Sequence, residues 1–310
     1  MGRQRKKGRP VSGWLILDKS YDLGSTEAVS KAKWLFQAQK AGHAGTLDPL
    51  ATGVLPIAFG EATKTVPYIM DAEKRYRFTA QWGAATTTDD AEGEIIATSD
   101  KRPLEKDIEA VLDQFVGEID QIPPQFSAVK IGGERAYDLA RDGEEVKLEP
   151  RKISVHELTI VETPSPDETV FEAVTGKGAY VRALVRDMAR ALGTQGHVTR
   201  LRRLAVGPFR AEVGVTIEAL EALTLLEDRD ATLTPITSAL SHMPQASIDG
   251  PQADKLRRGQ AAIIAPPVAK GIRGETAGVI PAVLAVLYDE PVAICELDGL
   301  KLKPARVFNL

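Results

Sequence analysis

Cysteine is nearly absent: Cys295 is alone among 310 residues. That excludes an intramolecular disulfide and a cysteine-rich metal site, and makes a reducing cytoplasm the expected compartment. Histidine is scarce as well. His43, His156, His197 and His242 stand far apart, with no zinc-type spacing. Long apolar runs are missing. The longest, Gly278 to Tyr288, is too short to cross a bilayer and contains Pro281, so no membrane partner is expected. The basic opening MGRQRKKGRP is followed by no apolar stretch, and a secretory signal is not expected there.

Common signatures of cofactor and hydrolase chemistry are missing too. There is no phosphate loop, no G-x-S-x-G, no H-E-x-x-H and no C-x-x-C. Gly176-Lys177-Gly178 begins a dinucleotide fingerprint but lacks its third glycine and its acidic residue. What remains is an enzyme without metal or cofactor, or a binding protein.

The composition is that of a globular protein, 43% apolar and 26% charged, and the length suggests about two domains. Net charge is −4, but its distribution is uneven. Residues 3 to 9 carry Arg3, Arg5, Lys6, Lys7 and Arg9 without an acid. Residues 177 to 210 carry Lys177, Arg182, Arg186, Arg190, Arg200, Arg202, Arg203 and Arg210 against Asp187 alone. Residues 212 to 230 then reverse the sign. One basic face on an acidic body, suited to nucleic acid, is one reading; ordinary solvated helix faces are the other.

Residues 1 to 10 lack periodicity and read as a disordered basic arm. Gly13 to Leu17 reads as a buried strand. A helix is expected from an N-cap at Ser25 through Lys40, with Val29, Ala32, Leu35 and Phe36 on one face. The Gly- and Pro-rich segment Ala41 to Lys64 reads as a loop held against a core. Lys74 to Trp82 alternates, placing Tyr76, Phe78, Ala80 and Trp82 on one strand face. A helix is expected over Pro103 to Phe115. Residues 121 to 150 are polar, with a short helical stretch near Arg135 to Arg141, and read as an insertion. Strands are expected at Ile153 to Val161, Val170 to Thr175 and His197 to Val206. Val181 to Leu192 has helical spacing, with Arg182, Arg186 and Arg190 in one row beside its apolar stripe. Beyond residue 245 short β-type runs broken by Gly and Pro mark a small β-rich domain, residues 245 to 310, after a larger one over 11 to 244. No regular βαβ rhythm is present, so the class is α+β.

Within GHAGTLDPLATG (42 to 53), Asp48 precedes Pro49, which keeps it out of the helical region. It reads either as a helix N-cap with proline at the first helical position, or as a carboxylate presented from a rigid loop. Such a carboxylate can attack a sugar C1′ or act as a general base. A glycosidase would need a second carboxylate across the bond, and the motif holds only Asp48. His43 reads equally as an ordinary loop histidine, Tyr76 as core packing, and Arg182 as part of a solvated stripe.

The segments GHAGTLDPLATGVLPIAFGEATK from Gly42, Lys74-Arg75-Tyr76, Gly176 to Arg182 (GKGAYVR) and Leu201 to Gly207 (LRRLAVG) resemble the TruB type of tRNA pseudouridine-55 synthase in content, order and separation. The resemblance covers about residues 11 to 210. It implies a pseudouridine-synthase mixed β-sheet with flanking helices, an RNA-gripping role for 121 to 150, and a PUA-like C-terminal domain, the latter by texture and Leu256 to Gln260 only. It implies that Asp48 is the nucleophile, that Tyr76 stacks on the uracil and accepts a proton, and that Arg182 pairs with Asp48. His43 would face the RNA where the base has left, Tyr180 and Leu201 would line the uracil pocket, and Lys19 would lie near the site. The family's first motif usually reads Asp-Lys-Pro; here Ser20 follows Asp18-Lys19. The expected activity is isomerisation of a uridine in the T-arm of tRNA by a monomer, without cofactor, metal or guide RNA. A tRNA-binding folding chaperone with incidental catalysis is the alternative.

Overall fold

The computed structural model describes residues 8–127, 148–274 and 278–310, together with the backbone of two short strands, Lys130–Ile131 and Glu134–Arg135. Its architecture starts from the segment expected to be a loop. Residues 41 to 64 instead hold strands β2 (Ala41–His43) and β3 (Thr52–Phe59), with β1 (Gly13–Lys19) alongside. Glycine and proline density misleads here because β3 is buried almost throughout, and a buried strand needs no polar alternation. The helix α1 (Ser25–Leu35) is shorter than expected. Its N-cap is Gly24, so Ser25 is the first helical residue, and its hydroxyl bonds Leu47 of the β2–β3 connection instead.

The helix α2 (Val66–Met70) leads into β4 (Lys74–Trp82), followed by the hairpin β5 (Ala84–Thr86) and β6 (Ile95–Thr98). The helix α3 (Glu105–Leu112) continues into a 3-10 turn and β7 (Gly117–Gln121). Lys130–Ile131 and Glu134–Arg135 are β8 and β9. The helical stretch expected near 135 to 141 lies, beyond Arg135, outside the described residues. The long hairpin β10 (Arg151–Ser165) and β11 (Glu168–Thr175), helix α4 (Val181–Ala191), β12 (Gly196–Val206) and β13 (Phe209–Arg210) complete the larger unit.

The main sheet runs β1-β3-β12-β4-β11-β10-β7, with β2 on β3 and β13 on β12. All pairings are antiparallel except β3 with β12, where Thr52 and Gly53 face Arg202 and Arg203. That contact brings the start of β3 beside the middle of β12. Gly53 makes it possible: its φ is +99°, and a Cβ there would lie 2.2 Å from the Arg203 carbonyl oxygen.

The apolar face of α4 (Val181, Leu184, Val185, Met188) packs on Phe78, Trp82 and Phe171 of the sheet, as its spacing predicts. Phe78 and Phe171 stack at 5.4 Å. The C-terminal strands Gln245–Ser247 (β14), Ala262–Ile263 (β15), Ile280–Leu287 (β16), Glu290–Asp298 (β17) and Lys301–Val307 (β18) form a sheet in the order β14-β16-β17-β18-β15. Helices Gly250–Arg257 and Pro266–Arg273, absent from the sequence reading, flank it. Leu284, Ile294 and Phe308 join one core with Trp14, Val54 and Ala58, so the two sheets share an apolar contact.

The basic arm is described from Gly8 onward, and there it is anchored rather than loose: Arg9 binds both Asp230 oxygens at 2.6 and 2.5 Å and the Phe36 carbonyl at 2.9 Å. Among the described residues no helix is long and apolar enough to cross a membrane.

Candidate active site

Asp48 sits on the connection between β2 and β3, in no helix, so it caps none. The connection is held at several points. Ser25 Oγ donates to the Leu47 carbonyl at 2.7 Å and accepts from the Leu47 amide at 2.9 Å. Lys19 Nζ, at the end of β1, donates to the carbonyls of Pro49 (2.9 Å), Leu23 (2.7 Å) and Ser20 (2.9 Å). Arg203 from β12 donates to the carbonyls of Val54 (2.7 Å), Gly45 (3.0 Å) and Thr46 (3.2 Å). A loop so tied presents its carboxylate in one place, which is what chemistry on a bound substrate requires.

The partner of Asp48 comes from the first turn of α4. Arg182 Nε lies 2.9 Å from Asp48 Oδ2, and Arg182 is 5% exposed whereas the Asp48 side chain keeps 38% of its surface. The same guanidinium lies 3.4 Å from Asp90 Oδ2 and donates to the carbonyls of Thr88 (2.8 Å) and Phe126 (3.0 Å). Asp90 is itself buried, accepting from Thr88 Oγ1 and the Glu92 amide. Burial pushes the Asp48 carboxyl above its ordinary value; Arg182, Arg203 and Lys19 oppose that rise and Asp90 adds to it. Desolvation disfavours the charged form and the three cations restore part of it. Lys19 is lowered to about 8, mainly by burial.

These groups open on a narrow cleft lined by Asp48, Leu50, Asp90, Arg182, Thr199 and Leu201. The register of β12 against β4 shifts between Val198 and Arg200, a bulge beside the cleft at Thr199. Cross-strand neighbours on β4 and β12 pair Phe78 with Leu201 and Tyr76 with Arg203, so those four side chains project from one face. Tyr76 is half-buried at the margin of the core under α4. Tyr180 is the N-cap residue of α4, two residues from Arg182. Its amide and carbonyl are both bonded by the Gln121 side chain, at 2.9 and 3.1 Å, and burial pushes its phenol up. His43 ends β2, half-buried, opposite Ile57.

The structure therefore brings Arg182 and Leu201 to the cleft with Asp48, holds Lys19 beneath the connection, and sets Tyr76, Tyr180 and His43 on the surrounding elements. It also adds residues that sequence reasoning missed. Asp90 was concealed in the polar run Thr86 to Asp90, and Arg203 in a row of arginines; only the strand alternation separates Arg203 from Arg202, which points the other way to Asp18 at 2.9 and 2.8 Å. Of the basic run, Arg182 and Arg203 are buried, and Arg186, 12% exposed, is bound to Asp89 and Asp187, each at 2.9 Å. Arg190 remains 66% exposed. A larger groove of about 710 Å³ lies elsewhere, beside Trp34, Lys33 and Arg229, and among the described residues no carboxylate lines it. Among the described residues no three His, Cys, Asp or Glu side chains are grouped to hold a metal ion.

Residues 33–181 match the model for the TruB family pseudouridylate synthase N-terminal domain, and residues 182–241 the tRNA pseudouridylate synthase B C-terminal domain. A protein of Caulobacter vibrioides named tRNA pseudouridine synthase B is 52% identical over 307 residues, 99% of each chain. This chain belongs to the TruB family of pseudouridylate synthases. A second relative of the same name, from Agrobacterium fabrum, is 51% identical over 99% of this chain and 97% of its own. Among solved structures, a chain in the crystal structure of a Cbf5-Nop10-Gar1 complex is 26% identical, with a TM-score of 0.71 over 96% of this chain and 85% of its own. TruB membership and this likeness agree with the mixed α+β sheet and β-rich C-terminal region described above.

Proposed function

We propose that this protein converts the T-arm uridine at position 55 of tRNA to pseudouridine, alone and without a guide RNA, with Asp48 as nucleophile. The observation that carries the reading is the Asp48–Arg182 ion pair at the mouth of a cleft, in a chain about half identical over its length to relatives named tRNA pseudouridine synthase B.

The reaction breaks the N1–C1′ bond and makes a C5–C1′ bond. Atoms are conserved: C5 loses a proton and N1 gains one. The target base must first leave its stack, at a cost of a few kcal/mol. Stacking on an aromatic face returns about 1–3 kcal/mol, and Tyr76 supplies that face, with Leu201 and Tyr180 bounding the pocket and His43 against the RNA. The ionised Asp48 attacks C1′ as the N1–C1′ bond breaks; the released uracil turns, C5 bonds to C1′ and the Asp48–C1′ bond breaks, restoring the carboxylate. The Tyr76 oxygen relays the C5 proton away. Arg182 keeps Asp48 ionised inside the protein and, through the Thr88 and Phe126 carbonyls and Asp90, stays fixed itself. Lys19 secures the connection. Residues 121 to 150 grip the RNA, as an insertion in a catalytic domain over 11 to 244, and 245 to 310 form a PUA-like appendage.

The test is the purified protein with an unmodified tRNA transcript and no other macromolecule. Pseudouridine at position 55 is expected. Formation only when a guide RNA or protein partner is added would reject the guide-free reading.

A further inference from the structure

Arg203 is 2% exposed and, among the described residues, forms no ion pair. A buried cation without a carboxylate is costly unless its donors are satisfied. Among the described residues its hydrogen bonds go to backbone carbonyls of one segment: Gly45 and Thr46, ahead of Asp48, and Val54, after it. Gly53, the neighbour of Val54, can approach the Arg203 backbone so closely only because it has no side chain. Lys19 takes the Pro49 carbonyl from β1. The connection bearing Asp48 is thus tied to two strands by two buried cations, one of them planar and forked.

We propose that Arg203 is a positioning residue for the nucleophile, fixing the Asp48 connection from β12 through three of its backbone carbonyls. The proposal rests on the assignment of Asp48 above. The charged groups facing Asp48 are Arg182 from α4, Asp90 after β5, Lys19 from β1 and Arg203 from β12. Of the three cations only Arg182 touches the carboxylate. Arg203 therefore acts by holding backbone and by charge at a distance, and the two actions can be separated. Lysine keeps the charge but loses the fork; methionine loses both.

Wild type, Arg203→Lys and Arg203→Met are assayed on saturating tRNA transcript across pH, with binding of the same transcript and thermal melting measured in parallel. Arg203→Met is expected to lose about 100-fold in kcat, the penalty of a misplaced reacting group, and its acid limb moves up by about one pH unit. Its RNA affinity stays within about threefold, since the side chain is buried. Arg203→Lys loses about tenfold in kcat and keeps the wild-type acid limb. A folded Arg203→Met with wild-type kcat, or with an unmoved acid limb, overturns the proposal. Equal losses of binding and rate also overturn it. Should the methionine variant not fold, wild-type kcat in Arg203→Lys overturns it. A wild type that makes no pseudouridine rejects the proposed function instead, and titration of the Asp48 carboxyl by carbon-13 NMR in wild type and Arg203→Met then decides the role of Arg203 separately.

Discussion

Arg182 Nε meets Asp48 Oδ2 at 2.9 Å while the other two nitrogens of the same guanidinium hold the carbonyls of Thr88 and Phe126. One side chain thus joins the proposed nucleophile to the β5–β6 hairpin and to the stem of the 121–150 insertion. Arg182→Lys cannot keep this set, because an ammonium lacks the fork. It is expected to lower kcat by about 100-fold or more with the protein still folded. Steady-state kinetics with a melting control check this; a kcat within threefold of wild type would show the fork to be dispensable.

The pH dependence follows from Asp48. Its folded pKa is raised, mainly by burial. The ionised form is the nucleophile, so activity is full above that pKa and falls as pH drops through it. The acid limb of kcat is expected above the ordinary aspartate value of about 3.9. Because the shift is upward, ionised Asp48 lowers fold stability at neutral pH, and protonation relieves that cost. Single-turnover rates from acid to neutral pH check the limb. A midpoint at or below the ordinary value would remove the burial argument.

Tyr76 separates stacking from proton relay. Tyr76→Phe keeps the ring and loses the oxygen, so kcat is expected to fall about 100-fold with KM nearly constant. Tyr76→Leu loses the ring as well, and KM should then rise too, by the stacking energy of about 1–3 kcal/mol. Kinetics on one transcript check both. Unchanged kcat in Tyr76→Phe would leave Tyr76 with packing alone.

Gly53 tests the junction of β3 with β12. Gly53→Ala places a methyl 2.2 Å from the Arg203 carbonyl oxygen at a φ of +99°. A destabilisation of about 2–4 kcal/mol is expected, by strain and displaced backbone. Denaturant unfolding measures it. A loss below about 0.5 kcal/mol, the range of neutral surface changes, would mean that the close approach is not required.

Much of this was legible in the sequence, and the failures share a cause. The β4 alternation and the α4 stripe are amphipathic signals, and both appear where expected. β3 reads as a loop because both its faces are buried, so no polar alternation marks it, and its start carries glycine. The Asp48–Arg182 pairing came from family resemblance; separation along the chain says nothing of a contact made between β2–β3 and α4. The roles of Asp90 and Arg203 are not legible along the chain, because they exist only in three dimensions. Ser25 looked like a cap, as a serine before a helix does, yet its hydroxyl found a partner in Leu47 instead.

The central claim is tested most directly by tritium release from a tRNA transcript labelled at C5 of uridine, since bonding C5 to C1′ expels the hydrogen at C5. Purified wild type alone is expected to release the label from one uridine per molecule, and folded Asp48→Asn, still binding the transcript, to release none. Release by Asp48→Asn at a rate near wild type would contradict the account.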